Sequence, residues 1–253
     1  MKRVNKLLFL IAFCLVCNAV AADQRAVKTS PVRLVTGEFA PFVGEKLNAG
    51  GMTARMMRQI FKAMGLQISL DFRPWKRGYQ ATLRNEYTAT FPYSKNAERE
   101  EIWWYSDELY NLDEVFFSAS DTKVSFDSHQ DLAGRAVCKP IGYNLFELEE
   151  LYEQGVITLE RPTDMQSCFR MLMAGRVDLV MTNRMVGDNL IQELNLEPDN
   201  IRVLSKPFRR ISHHLIVPKS LPEGKAFIAK FNRHLSIFRE ENPEAPYISP
   251  SLN

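Results

Sequence analysis

Apolar residues recur along this chain in two alternating rhythms. Residues 32–36 form a β-rich run, and 67–72 alternate apolar and polar as a half-buried strand does. Between them Met52, Met56, Met57, Ile60, Phe61 and Met64 fall at helical spacing, which predicts a helix over 53–64 ended by Gly65. Four methionines on that face can form a pliable binding surface, but their spacing reads first as core. A helix over 76–85 and a strand over 87–91, closed by Pro92, complete this series. A second series starts near Gly134: strand 135–139, helix 144–154, strand 157–160, helix 164–174, strand 177–181 and helix 183–194. Gly155 and Gly175 stand at helix ends, and Asn144 with Glu147 and Thr163 with Gln166 read as capping boxes. The chain returns through a strand over 213–217 and a long helix over 223–238.

Strands alternating with helices imply parallel βαβ units, so the fold class is α/β, with mixed sheets flanked by helices. Two such series predict two lobes: lobe 1 from residues 22–117 and 211–253, lobe 2 from 118–210. Two hinge crossings, near 114–118 and 207–211, would join them as a clamshell. In open parallel sheets ligands bind beyond the carboxyl ends of the strands. That rule selects Glu38, Phe39, Trp75, Tyr93, Ser94, Gly142, Tyr143, Asn144, Thr182 and Asn183. Aromatic and hydroxyl groups dominate this set, as suits a small-molecule cleft.

Composition narrows the class. With 253 residues, 45% hydrophobic and 25% charged, the chain is neither disordered nor low in complexity. Its start, Met-Lys-Arg-Val-Asn-Lys, precedes an apolar run over 7–16 and the small-residue stretch Ala19-Val20-Ala21-Ala22. This is a signal-peptide pattern, with cleavage expected after Ala21 and export to the periplasm. The apolar run is shorter than the roughly 20 residues a membrane span needs. Phe13 and Val16 precede Cys14 and Cys17, where lipidation would want a small residue. Cleavage removes three bases and no acid, so the net charge of +2 becomes −1, which gives no reason to expect a nucleic-acid partner.

Cleavage also leaves two cysteines, Cys138 and Cys168. Both fall at the same edge of the second lobe's sheet, so a disulfide is the favoured reading, over two free thiols or half a metal site. His213 and His214 would point to opposite faces of a strand, which argues against joint chelation, and no metal site is expected. For an enzyme, Glu38, Asp188 or His129 are the tempting acid–base groups, but no nucleophile–base–orienter set accompanies them.

Several short segments carry a resemblance: Glu38-Phe39-Ala40-Pro41-Phe42, Glu98-Arg99 followed by Ser106, Asp131-Leu132-Ala133-Gly134-Arg135, Gly142-Tyr143, and Gly175-Arg176-Val177-Asp178-Leu179. In order and spacing they resemble the periplasmic solute-binding proteins of amino-acid ABC importers, family 3, over nearly the whole mature chain. The resemblance implies a type II periplasmic-binding fold that closes on a small-molecule ligand, an inner-membrane ABC permease as partner, a monomer, and no cofactor. It places a carboxylate-gripping role on Arg99, since a guanidinium forks onto a carboxylate through two parallel hydrogen bonds. From the residues alone, Arg99 reads instead as a solvated side chain among glutamates. The resemblance gives Ser94 a supporting hydroxyl and Gly142-Tyr143-Asn144 a helix N-terminus facing the ligand. Asn144 also reads simply as a helix cap. Members of that family carry an Asp where this chain has Asn183, which leaves a ligand ammonium without a counter-charge. Either the ligand lacks that ammonium or Glu38 substitutes. Phe39, Trp75, Tyr93 and Tyr143 would wall the ligand, with Lys76 and Arg77 either a second anion contact or a solvated helix start. A solute-binding protein is the leading function, with an enzyme on the same fold or a stand-alone sensor subunit as alternatives.

Overall fold

In the computed structural model the described residues are 30–243, and across them ten strands join in one mixed sheet. The expected signal peptide at 1–21 lies outside the described residues. Strand β1 (Val32–Thr36) pairs in parallel with β2 (Ile68–Phe72) and β3 (Ala89–Ser94), and helices α1 (Met52–Ala63) and α2 (Trp75–Leu83) connect them. The methionine face of α1 is core: Met56, Met57, Ile60 and Phe61 are buried, and Phe61 packs on Phe227 and Phe231 of the long helix α7 (Gly224–Glu241). The stripe is therefore spent on helix–helix packing and leaves no pliable surface.

Two ten-residue strands occupy the middle of the sheet, β5 (Tyr110–Ala119) and β10 (Arg209–Pro218). They pair antiparallel from Tyr110 opposite His213 to Glu114 opposite Arg209. Beyond β5 lie β8 (Leu179–Asn183), β6 (Ala136–Cys138) and β7 (Thr158–Glu160), giving the order β2-β1-β3-β10-β5-β8-β6-β7. The short strands β4 (Trp103–Tyr105) and β9 (Ile201–Val203) extend β10 and β5. Alternation along β6 and β8 sends Val137, Leu179 and Met181 into one apolar cluster and Cys138 and Val180 into another, so both faces of this end are covered.

Several boundaries differ from the sequence expectation, each for a local reason. Pro92 does not close β3 but lies inside it. The ladder with β10 shifts register between His214 and Ile216, opposite this stretch, and a proline without an N–H is tolerated at such an irregularity. Strand β8 begins at Leu179 rather than Val177, because the Asp178 carboxylate accepts the Ala136 N–H at 2.8 Å. Helix α4 (Glu147–Glu153) starts three residues late. Asn144 is not its cap: its Oδ1 accepts the Phe146 N–H at 3.0 Å, in a turn that holds Phe146 at φ 54°. Helix α5 (Met165–Met173) is capped by Asp164, which accepts the Ser167 N–H at 2.7 Å, so the box centred on Thr163 and Gln166 does not form. Helix α6 (Arg184–Glu193) is capped by Asn183 through Val186 N–H.

Cys138 and Cys168 form a disulfide, with 5.6 Å between Cα atoms, tying the end of β6 to α5. No helix among the described residues is long and apolar enough to cross a membrane. The bridge closes a 30-residue separation, and constraining the unfolded chain in this way is worth about 2–4 kcal/mol. Replacing both cysteines by alanine should lower the unfolding free energy by that amount in urea titrations, with mass spectrometry of the unreduced wild type showing no free thiol at either position.

Candidate functional site

An inner cavity of about 60 Å³ lies where β3, β5, β6 and β10 approach one another. Phe39, Trp75, Tyr93, Ser94 and Arg99 line it from the first series of elements; Lys139, Gly142, Tyr143, Asn144 and Phe146 line it from the second. Glu114, Ile211 and His213, from the two long strands, complete it. An adjoining outer cavity of about 340 Å³ shares Trp75, Tyr93, Arg99 and residues 142–144 and adds Lys76, Glu98, Glu149 and Arg161.

Arg99 sits on the short helix α3 (Ala97–Ile102), whose cap Asn96 accepts the Arg99 N–H at 2.9 Å. Its side chain folds back over the end of β3. Nη1 donates to Ser94 O at 3.1 Å and to Ser94 Oγ at 3.2 Å, and the guanidinium lies 5.2 Å from the Tyr93 ring centroid. No carboxylate among the described residues comes within 4.0 Å of Arg99, so its positive charge has no counter-ion in a half-buried site. The solvated, glutamate-paired reading of Arg99 therefore does not hold.

Aromatic rings from the two series meet across the cleft. Tyr143 packs edge-on against Phe39, at 6.4 Å between centroids, and against Trp75, at 6.3 Å. Trp75 also meets Tyr93 edge-on at 5.5 Å, and its Nε1 donates to Glu38 O at 3.2 Å. Burial pushes the Tyr93 and Tyr143 hydroxyls well above the ordinary tyrosine range, so both stay protonated. Gly142 makes the approach possible. It holds φ 90°, and a Cβ there would stand 3.2 Å from the Cβ of Trp75. The loop bearing Gly142 and Tyr143 is pinned by Arg161, whose Nη2 donates to Pro140 O and Tyr143 O.

Three of the expected residues, Glu38, Thr182 and Asn183, do not line either cavity. Glu38 is exposed, and its carboxylate turns away to accept the Glu45 N–H at 3.0 Å. Asn183 is buried with its Oδ1 committed to capping α6. Thr182 is buried as well and lines neither cavity. Gly142-Tyr143-Asn144 do line both, but in a turn ahead of α4 rather than at its N-terminus, and α4 carries Glu147, Glu149 and Glu150 in its first turn. Lys76 is exposed on the rim of the outer cavity, while Arg77 lines neither. Of the acid–base candidates, Asp188 is exposed and pairs with Arg184, and His129 stacks on Phe208; neither lines a cavity. Among the described residues no three His, Cys, Asp or Glu side chains gather as a metal site.

Instead the cavity holds a buried ion pair that periodicity does not reveal. Lys139 Nζ donates to Glu114 Oε2 at 2.6 Å, with the two side chains 2% and 7% exposed. Burial pulls the Lys139 ammonium below its usual range, and Glu114 opposes that pull. His213 stacks between Phe39 and Tyr110, at 5.8 and 5.3 Å, with Nδ1 buried and lacking a hydrogen-bond partner. Its neighbour His214 faces the other way and meets Ser106 O and Ser212 Oγ, each at 2.8 Å. Asn144 Nδ2 is likewise buried without a partner.

Charged residues are almost never buried without a partner, and Glu114 interrupting an apolar strand was the available signal. Removing one member strands the other, so Lys139→Met should cost about 3–5 kcal/mol in urea unfolding at pH 7. A Glu114→Leu/Lys139→Met double variant should lose less than the single one. His213 has a second consequence. Burial, with His214 adding to it, lowers its folded pKa to about 3 from 6.5. Between those values the unfolded chain binds a proton that the folded chain refuses. The contribution is whole above pH 6.5 and is lost as pH falls toward 3. Stability measured at successive pH values should drop through that window, and His213→Phe should make the drop shallower.

No protein-family profile and no curated protein sequence matches the chain. Solved structures do. The chain is similar to the GluR0 ligand-binding core from Nostoc punctiforme in complex with L-glutamate, at 20% identity and TM-score 0.69, over 85% of this chain and 96% of that one. It is similar to an ancestral arginine-binding protein bound to arginine, at 17% identity and TM-score 0.73, over 85% and 95% of the two chains. A histidine kinase sensor domain with similarity to periplasmic binding proteins matches at 18% identity and TM-score 0.71, over 87% and 98%. With the sheet order and flanking helices described above, these likenesses establish the fold: mixed α/β, of the type II periplasmic-binding-protein kind.

Proposed function

We propose that the protein is exported to the periplasm, with cleavage near Ala21, and captures a small carboxylate-bearing molecule, an amino acid or a related compound, for an inner-membrane ABC permease. The observation that carries this reading is Arg99: a half-buried guanidinium at the cavity, held in place by Ser94 and flanked by Tyr93, with no carboxylate among the described residues within 4.0 Å of it. A ligand carboxylate supplies the missing partner, and a fixed fork favours that geometry. Phe39, Trp75 and Tyr143 wall the ligand, and Gly142 lets the two sides of the cleft close over it. The lobes are residues 22–117 with 211–253, and 118–210, moving about the long central strands β5 and β10. The structures to which the chain is similar include an amino-acid ABC transporter's substrate-binding protein and proteins bound to glutamate and to arginine, which supports the same class of ligand. The likeness to a kinase sensor domain favours a second reading, in which a monomeric binding subunit reports to a membrane protein rather than delivering cargo.

A thermal-shift screen over amino acids, amines, carboxylates and aromatic metabolites identifies the ligand, because binding raises apparent stability by mass action. With that ligand, Arg99→Ala should weaken binding by about 2–5 kcal/mol in calorimetric titration, or about 30-fold to a few thousand-fold. Affinity unchanged within twofold would overturn the assignment, and conversion of the ligand during incubation would make the protein an enzyme.

A further inference from the structure

We infer that the ligand is a carboxylate without an amino group, an inference that rests on the binding function proposed above and narrows its substrate class. The balance of charge at the inner cavity favours an anion. Its ionisable lining consists of Arg99, Glu114, Lys139, His213 and two tyrosines. Glu114 and Lys139 neutralise each other through a 2.6 Å contact. His213 is stacked between two rings with a buried, unpartnered Nδ1, and the tyrosines stay protonated. What remains is one positive charge, on Arg99.

A simple carboxylate brings the charge that cancels it. An α-amino acid brings the same carboxylate together with an ammonium, and among the described residues the inner cavity has no free carboxylate to receive it; the two that the outer cavity adds, Glu98 and Glu149, are solvent-exposed. Glu114 is committed to Lys139, and an ammonium brought to that carboxylate would stand beside a second ammonium. Glu38 points to Glu45 N–H outside the cavity, and Asn183 is neutral and caps a helix. Neutral acceptors such as a tyrosine hydroxyl can hydrogen-bond an ammonium but do not replace the counter-charge that a desolvated cation needs. Asn144 points the same way: it lines the cavity and has a buried Nδ2 donor without a partner, well suited to a carboxylate oxygen and useless to an ammonium.

The test uses three pairs that differ only by the amino group: 3-phenylpropanoate against L-phenylalanine, glutarate against L-glutamate, and 4-methylpentanoate against L-leucine. Each is titrated calorimetrically into the mature wild-type protein and the Arg99→Ala variant. In every pair that binds, the amino-free member should bind at least tenfold more tightly, and Arg99→Ala should abolish the preference together with the binding. An amino acid that binds as tightly as its partner or more so, in an Arg99-dependent manner, overturns this inference and leaves the binding function standing. Binding that ignores Arg99 overturns the binding mode itself. Silence from all six compounds overturns this inference, while the wider thermal-shift screen still decides the binding function.

Discussion

The antiparallel pairing of β5 with β10 is the constraint on which the rest of the molecule depends. Each strand is ten residues long, and their ladder from Tyr110 to Glu114 carries the sheet from one parallel block to the other. Because side chains alternate along a strand, this pairing fixes which residues of the middle can face the cavity. Glu114 and His213 lie four ladder positions apart on opposite strands, and both line the cavity. The two parallel blocks contribute walls; the central pair contributes polar groups that no single βαβ unit could have placed there.

On that frame the site is assembled from pieces with different degrees of fixation. The disulfide holds Cys138, and Lys139 is the next residue, so the ammonium that engages Glu114 extends from a covalently anchored strand end. Arg99 is held by local hydrogen bonds to Ser94, five residues back along the chain. Gly142 and Tyr143 are held by Arg161 through backbone carbonyls. A cation fixed by neutral acceptors, beside an ion pair already closed on itself, gives a cavity whose electrostatic preference is set by one residue.

Much of this was legible in the chain and some of it was not, for physical reasons that differ by residue. The α1 stripe from Met56 to Phe61 could be read because burial imposes a 3.6-residue period on any helix with a covered face. Ser94, Phe39, Trp75, Tyr93 and Tyr143, which line the cavities, were legible because strand ends in an open α/β sheet converge on one crevice, whereas Arg99 was legible only through the family resemblance. Asn144 was misread because an Asx-type turn and a helix cap use the same side-chain oxygen on a nearby N–H, and only the backbone at Phe146 decides between them. Pro92 was misread because a bulge on the partner strand excuses a missing N–H, and that partner lies over a hundred residues away in the chain. The same distance hides the ion pair. Glu114 and Lys139 stand on separate strands, and nothing local to either announces the other. Glu38 occupied the right loop, yet its side chain serves the turn that follows it.

The crossing of Trp75 by Tyr143 equips the molecule with an optical reporter of its own. Of the three tryptophans, Trp103 is shut inside the core and Trp104 lies half-covered beneath Lys219 and Lys225. Trp75 alone lines the cavities, with Tyr143 and Tyr93 on its edges and its Nε1 on the Glu38 carbonyl. Any parting of the two walls exchanges the phenol ring against that indole for water, while the other two indoles keep their surroundings. Emission from Trp75 is therefore a colour signal of whether the cleft is open, written into the sequence without a label and readable on a steady background.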